Sequence, residues 1–256
     1  MNDSMQETKP LSGHVALVTG ATGSIGAEVS RALAGLGAAV AVHGRTKETL
    51  DELVEGIRRD GGTSVSYLGD ARDADHLGEV VAHASSTIGT IDILVTLAGG
   101  DGAPMATAAL EPERWRSIIE TDLTSVFLAV HAVLPGMLEK GGGRIVTVAS
   151  SAGRRPSQAN AAYAAAKAGV VMFTEHIAKE YATSGVRANC VAPSIVETAK
   201  LRSRMPASQL AEIGSRVPLG RIGRPADVAE AVAFLVSNGS SWITGTTLDI
   251  TGGMTL

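Results

Sequence analysis

The sequence contains one cysteine, Cys190, among its 256 residues, so an internal disulfide cannot form. Aromatic residues make up only 3% of the chain, and a core must therefore be built mainly from Ala, Val, Leu and Ile. The sequence has no His pair or Cys cluster at metal-ligand spacing, so no catalytic metal is expected. Cys190 lies in an apolar, strand-like run and is expected to be a core residue rather than a nucleophile.

Long apolar runs are also missing, since no uninterrupted stretch reaches membrane-spanning length. The first ten residues are polar and lack the apolar region of a signal peptide. We therefore expect a cytoplasmic protein with no membrane partner. Charges of both signs are interspersed and sum to −4, which disfavours nucleic acid as the main partner. We predict a loose N-terminal arm over residues 1–12 and a single catalytic domain over residues 13–256.

Short apolar runs alternate with amphipathic segments along the whole chain. We predict strands at residues 14–19, 38–43, 64–68, 92–96, 144–149, 187–192 and 246–250. We predict helices near residues 25–36, 46–60, 73–88, 111–138, 157–183 and 225–236. Such alternation is typical of an α/β fold with right-handed crossovers, in which helices cover both faces of a mostly parallel sheet.

Three glycines follow the first predicted strand, at Gly20, Gly23 and Gly26. An amphipathic pattern resumes at once after them, which predicts the order strand, tight turn, helix. This order is typical of a dinucleotide site, because glycine lets the backbone approach a pyrophosphate and the helix start supplies free N–H groups. A plain structural turn is the alternative interpretation of the glycines.

Tyr163 and Lys167 stand four residues apart in an Ala-rich stretch that is predicted to be helical. Residues at this spacing share one helix face. A free phenol is a poor acid–base catalyst at neutral pH, but an ammonium within about 4–6 Å favours the phenolate. The pair can therefore exchange a proton with a carbonyl or alcohol oxygen. Alone, the spacing also fits an exposed pair on a helix surface.

Together these motifs resemble the short-chain dehydrogenase/reductase family, from about Ser12 to Leu256. Within it, the segments Pro218–Leu235 and Trp242–Gly245 are most similar to reductases of the 3-oxoacyl carrier-protein type. The resemblance implies a single-domain, doubly wound Rossmann fold with seven strands. Members of this family often form homotetramers through two long helices, which in this chain are predicted at 111–138 and 157–183. The resemblance therefore implies a homotetramer.

The resemblance assigns cofactor contacts to several turns. It places the pyrophosphate at the glycine turn, the adenine after the third strand, the nicotinamide ribose after the fourth strand and the carboxamide after the sixth. In chain order, the residues are Gly20, Thr22, Ser24, Ile25 and Gly26 at the turn, Asp70 and Ala71, Ala98 and Gly99, and Pro193, Ile195 and Thr198. Tyr163 and Lys167 complete the site. For Thr198, a simple helix cap is the alternative role.

The end of the second predicted strand indicates which cofactor is used. In such folds a carboxylate at this position accepts a hydrogen bond from the adenosine ribose. Here the strand ends at His43 and no acid follows, but Arg45 and Thr46 do. An arginine binds a 2′-phosphate through paired hydrogen bonds, whereas an acid repels it. We therefore predict NADP(H) in preference to NAD(H), with Arg45 and Thr46 in contact; the alternative is that Arg45 merely begins a solvated helix.

The resemblance also supplies the catalytic roles. Ser150, at the end of the fifth predicted strand, would bond the substrate oxygen, Tyr163 would deliver the proton, and Lys167 would hold the ribose hydroxyls. The family's fourth catalytic residue, an Asn, falls at Asp122 in this chain. A carboxylate can keep that backbone role and add a negative charge near Lys167, or it can disturb the proton relay.

The substrate is predicted to be a small ketone or 3-oxoacyl compound that is reduced to a secondary alcohol. A mobile lid is expected at 194–216, although an ordinary pair of surface helices is the alternative. Six cations are expected near the site entrance, either to attract an acidic substrate or as solvated side chains: Arg154, Arg155, Lys200, Arg202, Arg204 and Arg216. Two other functions remain open: an oxidative dehydrogenase of sugars or secondary alcohols, and a cofactor-binding scaffold without turnover, which Thr96, Leu97 and Asp122 suggest.

Overall fold

The computed structural model describes residues 9–256 and contains one seven-stranded sheet. The strand order is β3-β2-β1-β4-β5-β6-β7, and every neighbouring pair is parallel. The predicted α/β, doubly wound Rossmann fold is confirmed. The strands are β1 Val15–Thr19, β2 Ala39–Gly44, β3 Thr63–Leu68, β4 Ile93–Thr96, β5 Gly143–Val148, β6 Val186–Pro193 and β7 Thr247–Ile250.

Helices connect the strands and form a layer on each face of the sheet. They are α1 Ser24–Gly35, α2 Lys47–Arg59, α3 Ala74–Thr87, α4 Pro112–Ile119, α5 Ser125–Lys140, α6 Ala161–Tyr181, α7 Ala199–Arg204, α8 Ala207–Ser215 and α9 Pro225–Val236. The helix predicted at 157–183 begins at Ala161, because the Asn160 side chain caps it there by accepting from the Tyr163 N–H. The region where a lid is predicted contains α7 and α8.

Two apolar layers hold the helices on the sheet. One face packs side chains of α1, α2 and α9 against strands β1, β2, β4 and β6. The opposite face packs side chains of α3, α5 and α6. Strands such as β1, in which all five residues are buried, are covered on both sides. Their sequences are therefore continuous apolar runs and do not alternate between apolar and polar residues.

The strand order reverses between β1 and β4. Chain connections leave these two neighbouring strands in opposite directions, so a crevice opens beyond their carboxyl ends. The pairing register aligns Thr19, the last residue of β1, with Thr96, the last residue of β4. The loops that follow both strands therefore meet at one edge of the sheet, and this edge is where the fold favours a ligand.

The predicted N-terminal arm falls partly outside the described residues, which begin at Lys9. Within the described part, Leu11 is fully buried and its N–H donates to the Leu36 carbonyl. The end of the segment predicted as loose, near Leu11, thus packs into the core next to α1. Leu11 is an apolar residue in a mostly polar stretch, and its side chain is the sequence feature that indicates this packing.

The long helix predicted at 111–138 is a composite. A π-helical turn, Glu120–Thr124, joins α4 to α5 without ending the helical run. Within residues 9–256, the continuous run Pro112–Lys140 is the one helix whose length and apolarity would allow it to cross a membrane. Helices in the core of water-soluble proteins have the same character, and α5 contributes Val126, Val130 and Val133 to the buried layers. The run therefore carries no argument for a membrane partner.

Candidate active site

The first turn after β1 is built so that another segment can approach its backbone closely. Gly20 has a φ of +69°, and a Cβ there would lie 2.6 Å from the backbone nitrogen of Ala98. A Cβ at Gly26 would lie 2.3 Å from the Gly20 carbonyl oxygen. Side chains at these two positions would fill the turn, so glycine is required for the loop to fold against β4.

Helix α1 begins at Ser24, directly after this turn. Its first N–H groups have no carbonyl four residues earlier within the helix, and the positive end of the helix dipole lies beside them. Ser24, Ile25 and Gly26 line the crevice, and free N–H groups at a helix start suit a phosphate. The residues present fit a dinucleotide pyrophosphate.

Tyr163 and Lys167 occupy one face of α6, as their spacing predicts. The Lys167 ammonium lies 5.6 Å from the centre of the Tyr163 ring. Lys167 is 4% exposed, and its Nζ donates to the Val148 carbonyl at 3.1 Å. Burial and this bond hold the ammonium beside the Tyr163 ring.

Asp122 is fully buried in the π-helical turn and holds two partners. Its Oδ1 accepts from the Gly100 N–H at 2.7 Å and lies 3.3 Å from Lys167 Nζ. Its Oδ2 is buried without a hydrogen-bond partner in the described part of the chain. The carboxylate therefore links the loop after β4 to the buried ammonium.

Ser150 follows β5 and is half-buried at the edge of the same crevice. Its Oγ accepts from the Ala152 N–H at 3.2 Å and caps a short turn. A hydroxyl that accepts a backbone hydrogen bond keeps its own proton available for donation. Ser150 can therefore donate to an oxygen placed in the crevice.

Ser150, Tyr163 and Lys167 share a cavity of about 760 Å³ with the glycine turn. The predicted site residues that line it are Gly20, Thr22, Ser24, Ile25, Gly26, Gly99, Ser150, Tyr163, Lys167, Pro193, Ile195 and Thr198. The predicted site residues outside its lining are Arg45, Thr46, Asp70, Ala71, Ala98 and Asp122. The first group forms the catalytic end and the pyrophosphate turn, whereas Asp122 lies behind Lys167.

A second cavity, of about 730 Å³, lies at the amino ends of the strands. Its arginine Arg187 already donates to the carbonyl oxygens of Leu235 and Ile243. Burial, with the nearby charge of Arg144, lowers the pKa of Arg187. Because ligands of open parallel sheets bind beyond the carboxyl ends of the strands, we assign the function to the first cavity.

The predicted adenosine end lies beyond β2 and β3. Arg45 is exposed there. Hydrogen bonds from Arg72 hold the pKa of Asp70 at about 2, against the opposing effect of burial. The charge of Asp70 is thus paired with Arg72, and Arg45 stays available for an anion. His43 is a core residue: burial and the neighbouring His76 lower its pKa to about 4 although Asp70 opposes this, so it is neutral at pH 7.

The segment after β6 reaches over the crevice. Thr198 accepts from the Leu201 N–H at 3.2 Å and caps α7, so the cap geometry considered from the sequence is present. The Ala199 N–H donates to Ser24 Oγ at 3.0 Å, and Lys200 Nζ donates to the Gly100 carbonyl at 3.1 Å. Helix α7 therefore contacts both walls of the cavity.

Asn160 is a site residue that sequence reasoning missed. Its amide nitrogen donates to the carbonyl oxygens of Asp101 and Ala103, and its oxygen accepts from the Tyr163 N–H. One buried side chain therefore ties the loop after β4 to the first turn of α6. An Asn three residues before the tyrosine is a recognisable N-cap signal, but its long-range contacts cannot be read from the sequence.

The chain is similar to many known reductases and dehydrogenases. A family model described as enoyl-(acyl carrier protein) reductase matches residues 20–255. Cis-4-hydroxycyclohexanecarboxylate dehydrogenase of Sinomonas cyclohexanicum is 39% identical over 94% of this chain and 96% of that protein. A 3-oxoacyl-[acyl-carrier-protein] reductase of Vibrio cholerae is 39% identical over 95% of this chain and 98% of that protein.

The chain is also similar to solved structures of reductases. A variant of actinorhodin polyketide ketoreductase with NADPH superposes with a TM-score of 0.90 at 37% identity, covering 94% of this chain and 97% of that one. A 3-oxoacyl-[acyl-carrier protein] reductase from Brucella melitensis with bound NAD has a TM-score of 0.87 at 30% identity, covering 97% and 94%. The similar structures thus include both forms of the nicotinamide cofactor.

Proposed function

Because the chain belongs to the short-chain dehydrogenase/reductase family, we propose that it reduces a ketone or 3-oxoacyl group to a secondary alcohol with NADP(H). The observation that carries this proposal is the shared cavity, which is lined by Ser150, Tyr163 and Lys167 together with the glycine turn. Tyr163 is the general acid in this proposal.

The protein's own side chains handle the substrate oxygen and its proton. The Ser150 hydroxyl donates to the carbonyl oxygen, where negative charge develops during reduction. The Tyr163 hydroxyl transfers its proton to that oxygen, and the Lys167 ammonium stabilises the phenolate that remains. Asp122 keeps the ammonium in place and fixes the loop at Gly100.

The nicotinamide cofactor supplies the hydride when it is bound. The turn at Gly20 and Gly26 and the N–H groups at the start of α1 would hold its pyrophosphate. Lys167 would also reach its ribose, and the stretch from Pro193 to Thr198 would orient the carboxamide. Each of these groups lines the cavity, which supports their joint use.

The preference for NADP(H) over NAD(H) rests on Arg45, because the similar structures hold either cofactor. Arg45 is exposed at the end of β2, and the charge of Asp70, which acts on Arg45, is paired with Arg72. A 2′-phosphate at this position would therefore meet a guanidinium rather than an uncompensated carboxylate.

Arg45→Ala is expected to raise the KM for NADPH by about 10- to 100-fold, the effect of losing a hydrogen bond to a charged group. The KM for NADH should change by less than about threefold, because NADH has no 2′-phosphate. Steady-state kinetics with each cofactor measure the two changes in KM. Arg59→Ala, at the far end of α2, is the control. An equal rise in both KM values would remove Arg45 from phosphate recognition.

The reaction itself is tested with a panel of ketones and 3-oxoacyl thioesters, followed by the loss of NADPH absorbance. Turnover of at least one carbonyl class by the wild-type enzyme is expected. Binding of NADPH without oxidation by any member of the panel would instead support a cofactor-binding scaffold. The buried Asp122–Lys167 pair argues for turnover, because it holds the ammonium beside Tyr163.

Oxidation of a secondary alcohol is a second candidate, because the relative from Sinomonas cyclohexanicum is named as a dehydrogenase of a cyclic hydroxy acid. The same residues serve it in reverse, with Tyr163 accepting the alcohol proton. The ratio of the initial rates with NADPH plus ketone and with NADP plus alcohol measures which direction the enzyme favours.

We also propose a cytoplasmic homotetramer that assembles through α4, α5 and α6. Large apolar side chains are exposed on these helices: Trp115, Phe127, Leu138 and Met172. Exposed apolar surface of this kind favours a protein contact. Sedimentation equilibrium of the purified chain measures the assembly, and a monomer at micromolar concentration would contradict it.

A further inference from the structure

The substrate cavity carries positive charge that the proposed chemistry does not use. Its charged lining residues are Lys167, Lys200 and Arg204, and no Asp or Glu of the described chain lines it. Lys167 is neutralised from behind by Asp122 at 3.3 Å. The charge that remains on the cavity wall therefore comes from Lys200 and Arg204 on α7.

Three of the other four cations predicted near the entrance have carboxylate partners, and the fourth, Arg155, has no ion pair in the described chain and lies outside the cavity lining. Arg202 pairs with Glu197, Arg154 with Asp249, and Arg216 with Glu212. Two further arginines act on Lys200: Arg114, which is paired with Asp101, and Arg45, which the proposed function assigns to the cofactor phosphate. Charge pairing separates three of the predicted entrance arginines, and position outside the lining separates Arg155, from the two cations that line the cavity.

Lys200 and Arg204 are separated by one helical turn and lie on the same face of α7. Lys200 Nζ donates only to the Gly100 carbonyl, and for Arg204 the described chain offers no ion-pair partner. Burial, followed by the neighbouring charge of Arg204, lowers the pKa of Lys200. Two like charges at this spacing repel each other, and a bound anion would relieve the repulsion.

We propose that Lys200 and Arg204 form an oxyanion-binding subsite that holds an acidic group on the substrate, at a distance from its carbonyl. The inference rests on the proposed function in taking this cavity as the substrate site. The anion can be a carboxylate on a small ketone or a phosphate on a coenzyme A-type thioester. Both accept hydrogen bonds from an ammonium and a guanidinium.

The kinetic test compares pairs of substrates that differ only in the anion. One pair is 4-oxocyclohexanecarboxylate and its methyl ester, and the other is acetoacetyl-4′-phosphopantetheine and acetoacetyl-pantetheine. In the wild-type enzyme we expect kcat/KM to be higher for the anionic member of one pair by about 10- to 100-fold, the effect of a hydrogen bond to a charged group. The pair that shows the difference identifies carboxylate or phosphate as the anion.

In the double variant Lys200→Gln, Arg204→Gln, the anionic and neutral members of the pair should have equal kcat/KM. The change should come chiefly from a higher KM for the anionic member, because a contact far from the reacting carbon is made equally in the ground and transition states. The matched control is Arg202→Gln on the same helix, whose side chain pairs with Glu197 and is outside the cavity lining. It should keep the wild-type ratio. Equal kcat/KM within both pairs for the wild-type enzyme would overturn the proposal.

Cofactor binding is the rival use of the two cations. The Kd of NADPH is therefore measured for each variant by cofactor fluorescence. Weaker NADPH binding with both substrate ratios unchanged would assign Lys200 and Arg204 to the cofactor and overturn the substrate assignment.

A binding measurement separates failure of the subsite from failure of the proposed reaction. Calorimetry compares cyclohexanecarboxylate with its methyl ester on the wild-type and doubly substituted enzymes, both saturated with NADP. Tighter carboxylate binding that disappears in the double variant supports the subsite even if no ketone is reduced. Turnover of neutral ketones, with no carboxylate preference in binding and equal kcat/KM within both substrate pairs, keeps the reductase function and overturns the subsite.

Discussion

Tyr163→Phe is expected to lower kcat by about 10²- to 10⁴-fold, the usual contribution of a positioned general acid. The substitution keeps the aromatic ring and removes only the hydroxyl of a side chain that lines the cavity. The Tyr163 N–H still donates to Asn160, so the start of α6 is unchanged. We therefore expect a folded enzyme that binds NADPH but reduces carbonyl substrates slowly.

Three measurements are needed to assign this loss to chemistry. The kcat of the variant is compared with its Kd for NADPH and with its thermal midpoint, both of which should stay near the wild-type values. Tyr181→Phe is the matched control, because Tyr181 ends the same helix far from the cavity. A Tyr163→Phe enzyme with more than about a tenth of wild-type kcat would show that another group donates the proton.

The position of the adjacent lysine supports the proposal that the Tyr163 phenol donates the proton. Lys167 is held by three features of the fold: its position on α6, its bond to the Val148 carbonyl and the carboxylate of Asp122. A mobile surface lysine would spend much of its time in solvent, where its charge is screened. Burial keeps the ammonium within reach of Tyr163, which an exposed pair on a helix would not achieve.

The sheet could be predicted from the sequence because parallel strands are buried on both faces. Each predicted strand lies within about two residues of an observed one, since apolar runs such as Val15–Thr19 end where the chain leaves the core. The Tyr163–Lys167 pair could be predicted for a related reason: side chains four residues apart on a helix share a face. Both inferences depend only on local periodicity.

Features that depend on long-range contacts could not be predicted in this way. The π-helical turn Glu120–Thr124 keeps the apolar pattern of the surrounding helix, so periodicity predicts one continuous α-helix over 111–138. The turn nevertheless places Asp122 against Gly100 and Lys167, which are distant in sequence. The Asn160 contacts to the loop after β4 have the same origin.

The ion pairs formed by the cations near the entrance also could not be predicted from the sequence. Six cations were expected near the entrance, and the sequence offered no way to separate docking charges from solvated ones. The structure pairs Arg154, Arg202 and Arg216 with acids from three different segments. Only the folded arrangement shows that Lys200 and Arg204 line the cavity.

Asp122→Ala is expected to lower the free energy of unfolding by about 3 kcal/mol, because it leaves a buried ammonium without its carboxylate. The substitution also removes the acceptor for the Gly100 N–H. Because Asp122 is 0% exposed and Lys167 4% exposed, added salt should not reproduce the effect. Urea unfolding at low and high ionic strength measures the loss.

Asp122→Asn separates the hydrogen bonds from the charge. The amide oxygen can still accept from the Gly100 N–H and from Lys167, while the amide nitrogen replaces Oδ2, which lacks a partner in residues 9–256. We expect this variant to recover the part of the stability that comes from the retained acceptor, since its amide oxygen still bonds the Gly100 N–H and Lys167, although the ammonium loses the charge of its partner. A comparable loss in both variants would show that the negative charge, rather than the acceptor, stabilises the site.

The activity of the two variants then decides what the carboxylate does for catalysis. If Asp122 acts by positioning Lys167, Asp122→Ala lowers kcat while Asp122→Asn keeps it within about tenfold, because a retained acceptor still orients the ammonium. A loss of kcat in the asparagine variant at normal stability would instead make the negative charge part of the proton transfer. This chain would then use a carboxylate where its resemblance to the family leads us to expect an amide.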